Sequence, residues 1–229
     1  MLAIIQARTS SKRFKGKVLK KINKKFLLER VINKVSQSNR ISRIIVATSI
    51  EKTDDKIVNF CKKQKIEFFR GSLNNVYERF FNLLKNTKAK SFIRICADSP
   101  FIDSYLIDKC INFYNRNKYG IVTNVSPRSF PKGQSIEIFN SKIFMKHASK
   151  IKKKRHQEHV TKYFYENSKK FEIKNFEYIK DYSKLNLSAD NQKDIKLARK
   201  IAKKFDHYKK RKNLLDKIVN YSVKTLLFT

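Results

Sequence analysis

With 229 residues the chain is long enough to bury one substantial core without disulfides or metals as staples, and a single domain spanning residues 1–229 is expected. Hydrophobic residues make up 41%, yet no apolar run approaches the roughly 20 residues of a membrane-spanning helix, which excludes that class. Fifty-four Lys plus Arg against 19 Asp plus Glu give +35, a balance that in isolation points to nucleic acid or an anionic membrane surface.

The distribution of that charge argues otherwise. Lysines occur in nearly every segment beside many Asn, Ile, Phe and Tyr, while Gly and Pro are scarce and Trp is absent. That is the residue usage of an AT-rich genome, and no segment carries an RNP, zinc-finger or basic-zipper pattern. Neither a nucleic-acid nor a membrane partner is expected, although the field can still steer anionic substrates. Cys61, Cys96 and Cys110 lack metal-ligand spacing and are odd in number, which fits a reducing cytoplasm.

In chain order, the apolar opening has no charged n-region before it and reads as a buried strand over 2–6 rather than a secretory signal. Phe26, Leu27, Val31, Ile32 and Val35 recur at helical spacing, which predicts a helix over 25–37. A strand follows at 43–48, then a helix over 54–64 with Thr53 as its cap and Ile57, Val58 and Cys61 inward. A short strand at 67–69, a helix from Asn75 burying Val76, Phe80, Leu83 and Leu84, and a strand at 91–96 complete the regular half. Beyond it the pattern predicts a helix at 104–114, a strand at 121–124, a turn or lid at 127–133 and an alternating strand at 135–139. Helices at 141–149 and 158–165, strands at 171–176 and 184–188, and a helical region after Asp190 close the chain. Strands alternating with amphipathic helices predict an α/β fold, a mostly parallel sheet sandwiched by helices.

Open α/β sheets bind ligands at the carboxyl ends of their strands. After the first strand, residues 6–17 carry five cations (Arg8, Lys12, Arg13, Lys15, Lys17), three hydroxyls and Gly16 ahead of a helix, equipment suited to wrapping a triphosphate. It is not a Walker loop, because Gly16 stands alone and Val18 follows Lys17, and no dinucleotide fingerprint is present. In so basic a chain it could equally be a solvated loop. Asp98 leaves the strand at 91–96 and Asp190 the one at 184–188, and acids so placed can hold Mg²⁺ against phosphate oxygens. Each also has a plain alternative, Asp98 in a turn or as the cap of the helix at 104 and Asp190 as the N-cap of the last helical region. His156 and His159 flank Glu158 without a third ligand, so a surface or sugar-contact role is expected over a metal site. Glu137 either binds substrate or faces solvent, and the basic run 208–212 reads as a solvated face.

Together these segments resemble the cytidylyltransferases related to the spore-coat polysaccharide protein SpsF, and more distantly the CMP-Kdo and CMP-sialate synthetases. The family's Q-A-R-x-x-S-x-R-x-x-G-K pattern is matched by Gln6, Ala7, Arg8, Ser11, Arg13, Gly16 and Lys17. VATS at 46–49, FRGS at 69–72, VYERF at 76–80, RICADSPFID at 94–103, EHVTKYFYE from Glu158 and LSADNQKDI from Leu187 continue the likeness in order. The resemblance implies a nucleotide-diphospho-sugar transferase fold, GT-A-like and Rossmann-like, that transfers CMP from CTP to a sugar or sugar acid and releases pyrophosphate for surface glycan synthesis. It implies catalytic roles for Arg13 and Lys17, nucleotide contacts from Gln6, Ala7, Arg8, Ser11 and Arg94, substrate contacts from Glu137 and His159, and Mg²⁺ on Asp98 and Asp190. Use of another nucleoside triphosphate, a nucleic-acid-binding role and a homodimer stay open. Three departures stand out: Ser10 where the family has glycine, Lys15 where it has proline, and Ser135 where an acid is common.

Overall fold

The computed structural model describes residues 1–11, 13–117, 119–208 and 211–227. Lys12 of the basic loop and Lys209 and Lys210 of the late basic run lie outside the described residues.

The first half alternates as expected: β1 (Leu2–Gln6), the two-residue hairpin strands β2 (Lys21–Ile22) and β3 (Lys25–Phe26), α1 (Leu27–Ser36), β4 (Arg43–Ser49), α2 (Asp55–Lys63), β5 (Glu67–Gly71), α3 (Val76–Thr87) and β6 (Ser91–Cys96). Then follow α4 (Ser104–Asn117), β7 (Ile121–Thr123), β8 (Glu137–Asn140), α5 (Ser141–Lys146), α6 (Lys154–Glu158), α7 (Lys162–Glu166), β9 (Ile173–Asn175), α8 (Gln192–Phe205) and α9 (Leu214–Leu227). The main sheet runs β5-β4-β1-β6-β8-β7-β9, and only β8 opposes its neighbours. Both faces of β1 are buried, Ala3 and Ile5 in one apolar cluster and Leu2 and Ile4 in the other, which explains its continuous apolar run. After β1 the chain builds outward through β4 and β5 on one side, then returns through β6 to build the other. The strand order therefore reverses between β1 and β6, where open α/β sheets form their ligand crevice.

Several expectations are corrected. Thr53 does not cap α2; it sits exposed in a 3-10 turn, Lys52–Asp54, that makes no side-chain cap bond. The expected strand at 184–188 reduces to one bridge between Lys132 and Asn186, because Asn186 Oδ1 accepts from the backbone N–H of Ser188 (3.0 Å) and from its hydroxyl (2.6 Å) and bends the chain. The helix at 158–165 is broken at His159 (φ −100°, ψ 80°), which lets Val160 enter the core. The strand at 135–139 does not alternate: Glu137, Ile138 and Phe139 are all buried, since both faces of β8 are covered, Ile138 packing in one apolar cluster and Phe139 in the other. In the late basic run, Arg211 is not simply solvated; its Nη1 reaches Asp108 Oδ2 at 3.1 Å.

Candidate active site

β1 and β6 end side by side, Gln6 in register with Cys96, and lead into the two segments already singled out. The loop after β1 is anchored from below. Asp54, fully buried, accepts from the Thr9 N–H (2.7 Å) and hydroxyl (2.6 Å), and from the Ser49 N–H (3.2 Å) and hydroxyl. The loop closes where the Gly16 N–H donates to the Thr9 carbonyl (2.8 Å). Gly16 has φ +67°, a left-handed conformation that glycine takes without strain, and it opens the 3-10 turn Lys17–Leu19 that aims Lys17 inward. Asp54 carries no motif and reads in sequence as one more acid at a helix start; only its convergence with Thr9 and Ser49 exposes its role.

The second anchor brings distant aspartates together. The Ala189 N–H donates to the Asp98 carbonyl (2.9 Å), pinning residues 187–190 against the end of β6. Gly133 makes room for this segment: at φ +91°, an added Cβ would meet the Leu187 carbonyl carbon and the Ser188 nitrogen at 2.8 Å. Neither aspartate is a helix cap. Asp103 caps α4 by accepting from the Leu106 N–H (2.7 Å), and Asn191 caps α8 in a reciprocal box with Asp194, which also accepts from the Asp190 N–H (2.8 Å). That N-x-x-D box is a sequence signal that marks where α8 begins.

The two anchors converge on one cluster. Lys17 Nζ lies 2.7 Å from Asp98 Oδ2 and 2.8 Å from Asp190 Oδ1, and Arg13 Nη2 lies 3.1 Å from the same Asp190 oxygen. Burial would raise the Asp190 carboxyl, but the hydrogen bond and charge of Lys17, with Arg13 beside it, hold it below the usual carboxylate range. Burial would likewise lower Lys17, and the two aspartates more than offset it, so the ammonium is held above its ordinary value. Two carboxylates from distant segments thus meet at the Lys17 ammonium. Among the described residues no three His, Cys, Asp or Glu side chains gather to hold a metal alone. A two-carboxylate set fits Mg²⁺, which completes its shell with phosphate oxygens and water, better than it fits zinc.

Gln6, Arg8, Ser11, Arg13, Lys17 and Asp98 line one cleft, with Cys96 in its wall. Arg8 is paired with Glu158 of α6 at 3.3 Å. Asp190 is not in the lining but meets it through Arg13 and Lys17, and four other candidates sit elsewhere. Ala7 is in the core and spends its N–H on the Ala47 carbonyl (3.0 Å), so it offers no amide to a ligand. Glu137 is 3% exposed and receives Arg94, Tyr165 and Thr161, so it is neither a solvent-facing nor a free substrate-contacting carboxylate. Arg94 lies beneath the cleft, spent on Glu137 and Gln6. His159 is exposed outside the cleft lining, and His156 is buried with Nε2 2.8 Å from Glu166 Oε2, so the surface expectation holds for only one of the two histidines.

The sequence profile of the family described as Cytidylyltransferase matches residues 2–226. An uncharacterized protein of Methanocaldococcus jannaschii is 37% identical over 209 residues, covering 90% of this chain and 84% of its own. The spore coat polysaccharide biosynthesis protein SpsF of Bacillus subtilis is 34% identical over 171 residues, 71% and 69% of the two chains. A cytidylyltransferase structure from Leptospira borgpetersenii superposes with a TM-score of 0.89 at 27% identity, covering 97% of this chain and 93% of that one. Matched in profile along almost all of its length, and sharing the nucleotide-diphospho-sugar transferase fold of these relatives, the chain belongs to the cytidylyltransferase family.

Proposed function

We propose that this chain transfers CMP from CTP to a hydroxyl of a sugar or sugar acid, with Mg²⁺, releasing pyrophosphate for glycan synthesis. The observation that carries the reading is the meeting of Arg13, Lys17, Asp98 and Asp190, drawn from three separate segments, at the sheet's switch point. Arg8, Ser11, Arg13 and Lys17, which line one cleft with Asp98, bind the triphosphate on this reading. Asp98 and Asp190 would hold Mg²⁺, which when bound neutralises phosphate charge and polarises the phosphoryl group under attack. The acceptor hydroxyl oxygen forms its bond to the α-phosphorus in line as the bond from that phosphorus to the α,β-bridging oxygen breaks; pyrophosphate leaves and the hydroxyl proton is released to water. Such transfers need little covalent help from protein; positioning, and positive charge set where negative charge accumulates, supply the catalysis. Arg13 and Lys17 are that charge.

Pyrophosphate release, measured across the four nucleoside triphosphates with a panel of sugars and sugar acids, tests the proposal. Release with CTP and at least one acceptor, dependent on Mg²⁺, is expected. Absence of release with every pair, or steeply salt-dependent polynucleotide binding in its place, would overturn it.

A further inference from the structure

A polar ladder crosses four adjacent strands beneath the cleft. On β7, the Thr123 hydroxyl lies 3.0 Å from Tyr165 Oη, and Tyr165, on α7, donates to Glu137 Oε1 on β8 at 2.7 Å. The other Glu137 oxygen takes Arg94 Nη1 from β6, with which Glu137 is in register. Arg94 then turns its remaining donors on β1, Nε at 3.1 Å and Nη2 at 3.0 Å from Gln6 Oε1. A guanidinium has donors only, so the Gln6 atom facing it must be the carbonyl oxygen. The Gln6 NH₂ group is thereby kept off Arg94; Gln6 lines the cleft, and this group has no protein partner among the described residues.

We propose that Glu137 and Tyr165 are positioning residues that fix the Gln6 amide, so that its NH₂ group donates to an oxygen on the nucleoside half of the bound nucleotide. The nucleoside half is assigned because Gln6 ends β1, whereas the phosphate-directed cations follow it in the loop. This rests on the nucleotide-binding reading above. Without the ladder, Arg94 is free to swing aside and the amide can present either its donor or its acceptor to the ligand. Glu137 serves this role because it is buried and accepts from three side chains, Arg94, Tyr165 and Thr161, so its carboxylate has no freedom of its own.

A double-mutant cycle on CTP binding and on the KM for CTP tests the inference with the full chain. Gln6→Ala should weaken CTP by about tenfold, the scale of one hydrogen bond. Tyr165→Phe should weaken CTP by roughly three- to tenfold in the wild-type background and have less than about 1.5-fold effect in the Gln6→Ala background, because it acts through Gln6. Equal effects in both backgrounds, or none in the wild type, would overturn the proposal, since a merely structural hydroxyl would act additively. Thr161→Val, removing another donor to Glu137, carries the same cycle should Tyr165→Phe fail to fold. A wild type that binds CTP but shows additive variants refutes the ladder alone, whereas a wild type that binds no nucleoside triphosphate refutes the ladder and the nucleotide reading together.

Discussion

Asp54→Asn is the substitution with the most informative consequence, because it keeps the shape of a fully buried side chain and changes only what it can accept. The carboxylate receives four donors, two from Thr9 and two from Ser49. An amide keeps one oxygen and presents an NH₂ group to the other pair of donors. Two hydrogen bonds to a charged acceptor are lost, about 3–6 kcal/mol in gross terms. The neutral amide is easier to bury, so a net loss of about 3 kcal/mol is expected, or roughly 6–12 °C in Tm for a chain of this size. Thr9→Val removes one of the four bonds and should cost about 1–2 kcal/mol. Burial would raise the Asp54 carboxyl, but its hydroxyl and amide donors hold it below the usual range. The stability it supplies is therefore complete above the ordinary carboxylate value near 4 and is lost as pH falls through the lower folded value. Thermal unfolding followed by circular dichroism between pH 3 and 8, for wild type and Asp54→Asn, should show a gap that is full at neutral pH and narrows only below about pH 4. A variant melting within about 2 °C of wild type at pH 7 would refute the anchoring role.

Three further outcomes follow from the site. Arg13→Ala and Asp98→Asn should each lower turnover by about 10²–10³, the scale of one transition-state charge contact. Arg13, 75% exposed at its side chain, should leave Tm nearly unchanged; near-normal pyrophosphate release in both variants would sink the catalytic assignment. Gly133→Ala, although outside the cleft lining, should cost at least 1–3 kcal/mol and impair turnover, because its Cβ pushes on the segment that carries Asp190; wild-type kinetics would show that the segment is not held there. Cys96, pushed up to about 11 chiefly by burial, should alkylate slowly at pH 7.5 and faster as pH rises, so rapid labelling at neutral pH would contradict its environment.

How much of this was legible depends on how local the cause is. The burial of β1, β4 and β6 shows in their β-branched runs, and the amphipathic faces of α1 and α3 show in their spacing, so the α/β pattern needs no tertiary knowledge. The cation-bearing loop and the two aspartates could be picked out because strand ends are where such sheets bind. The apolar pattern at 184–188 does not make a strand because one asparagine side chain competes for its backbone. Glu137 does not face solvent because alternation exposes a position only on a strand with an open face, and both faces of β8 are covered.

Sequence alone decided the alternating fold, the family resemblance and the chemical types available at each strand end, since these follow from periodicity and residue identity over short spans. Only the tertiary structure decided that Asp98 and Asp190, 92 positions apart, share Lys17, that Asp54 ties down Thr9, and that Glu137 reaches Gln6 through Arg94. The physical reason is that hydrogen bonds and ion pairs act over about 3 Å, and strand order and crossovers, not spacing along the chain, bring such groups within that reach.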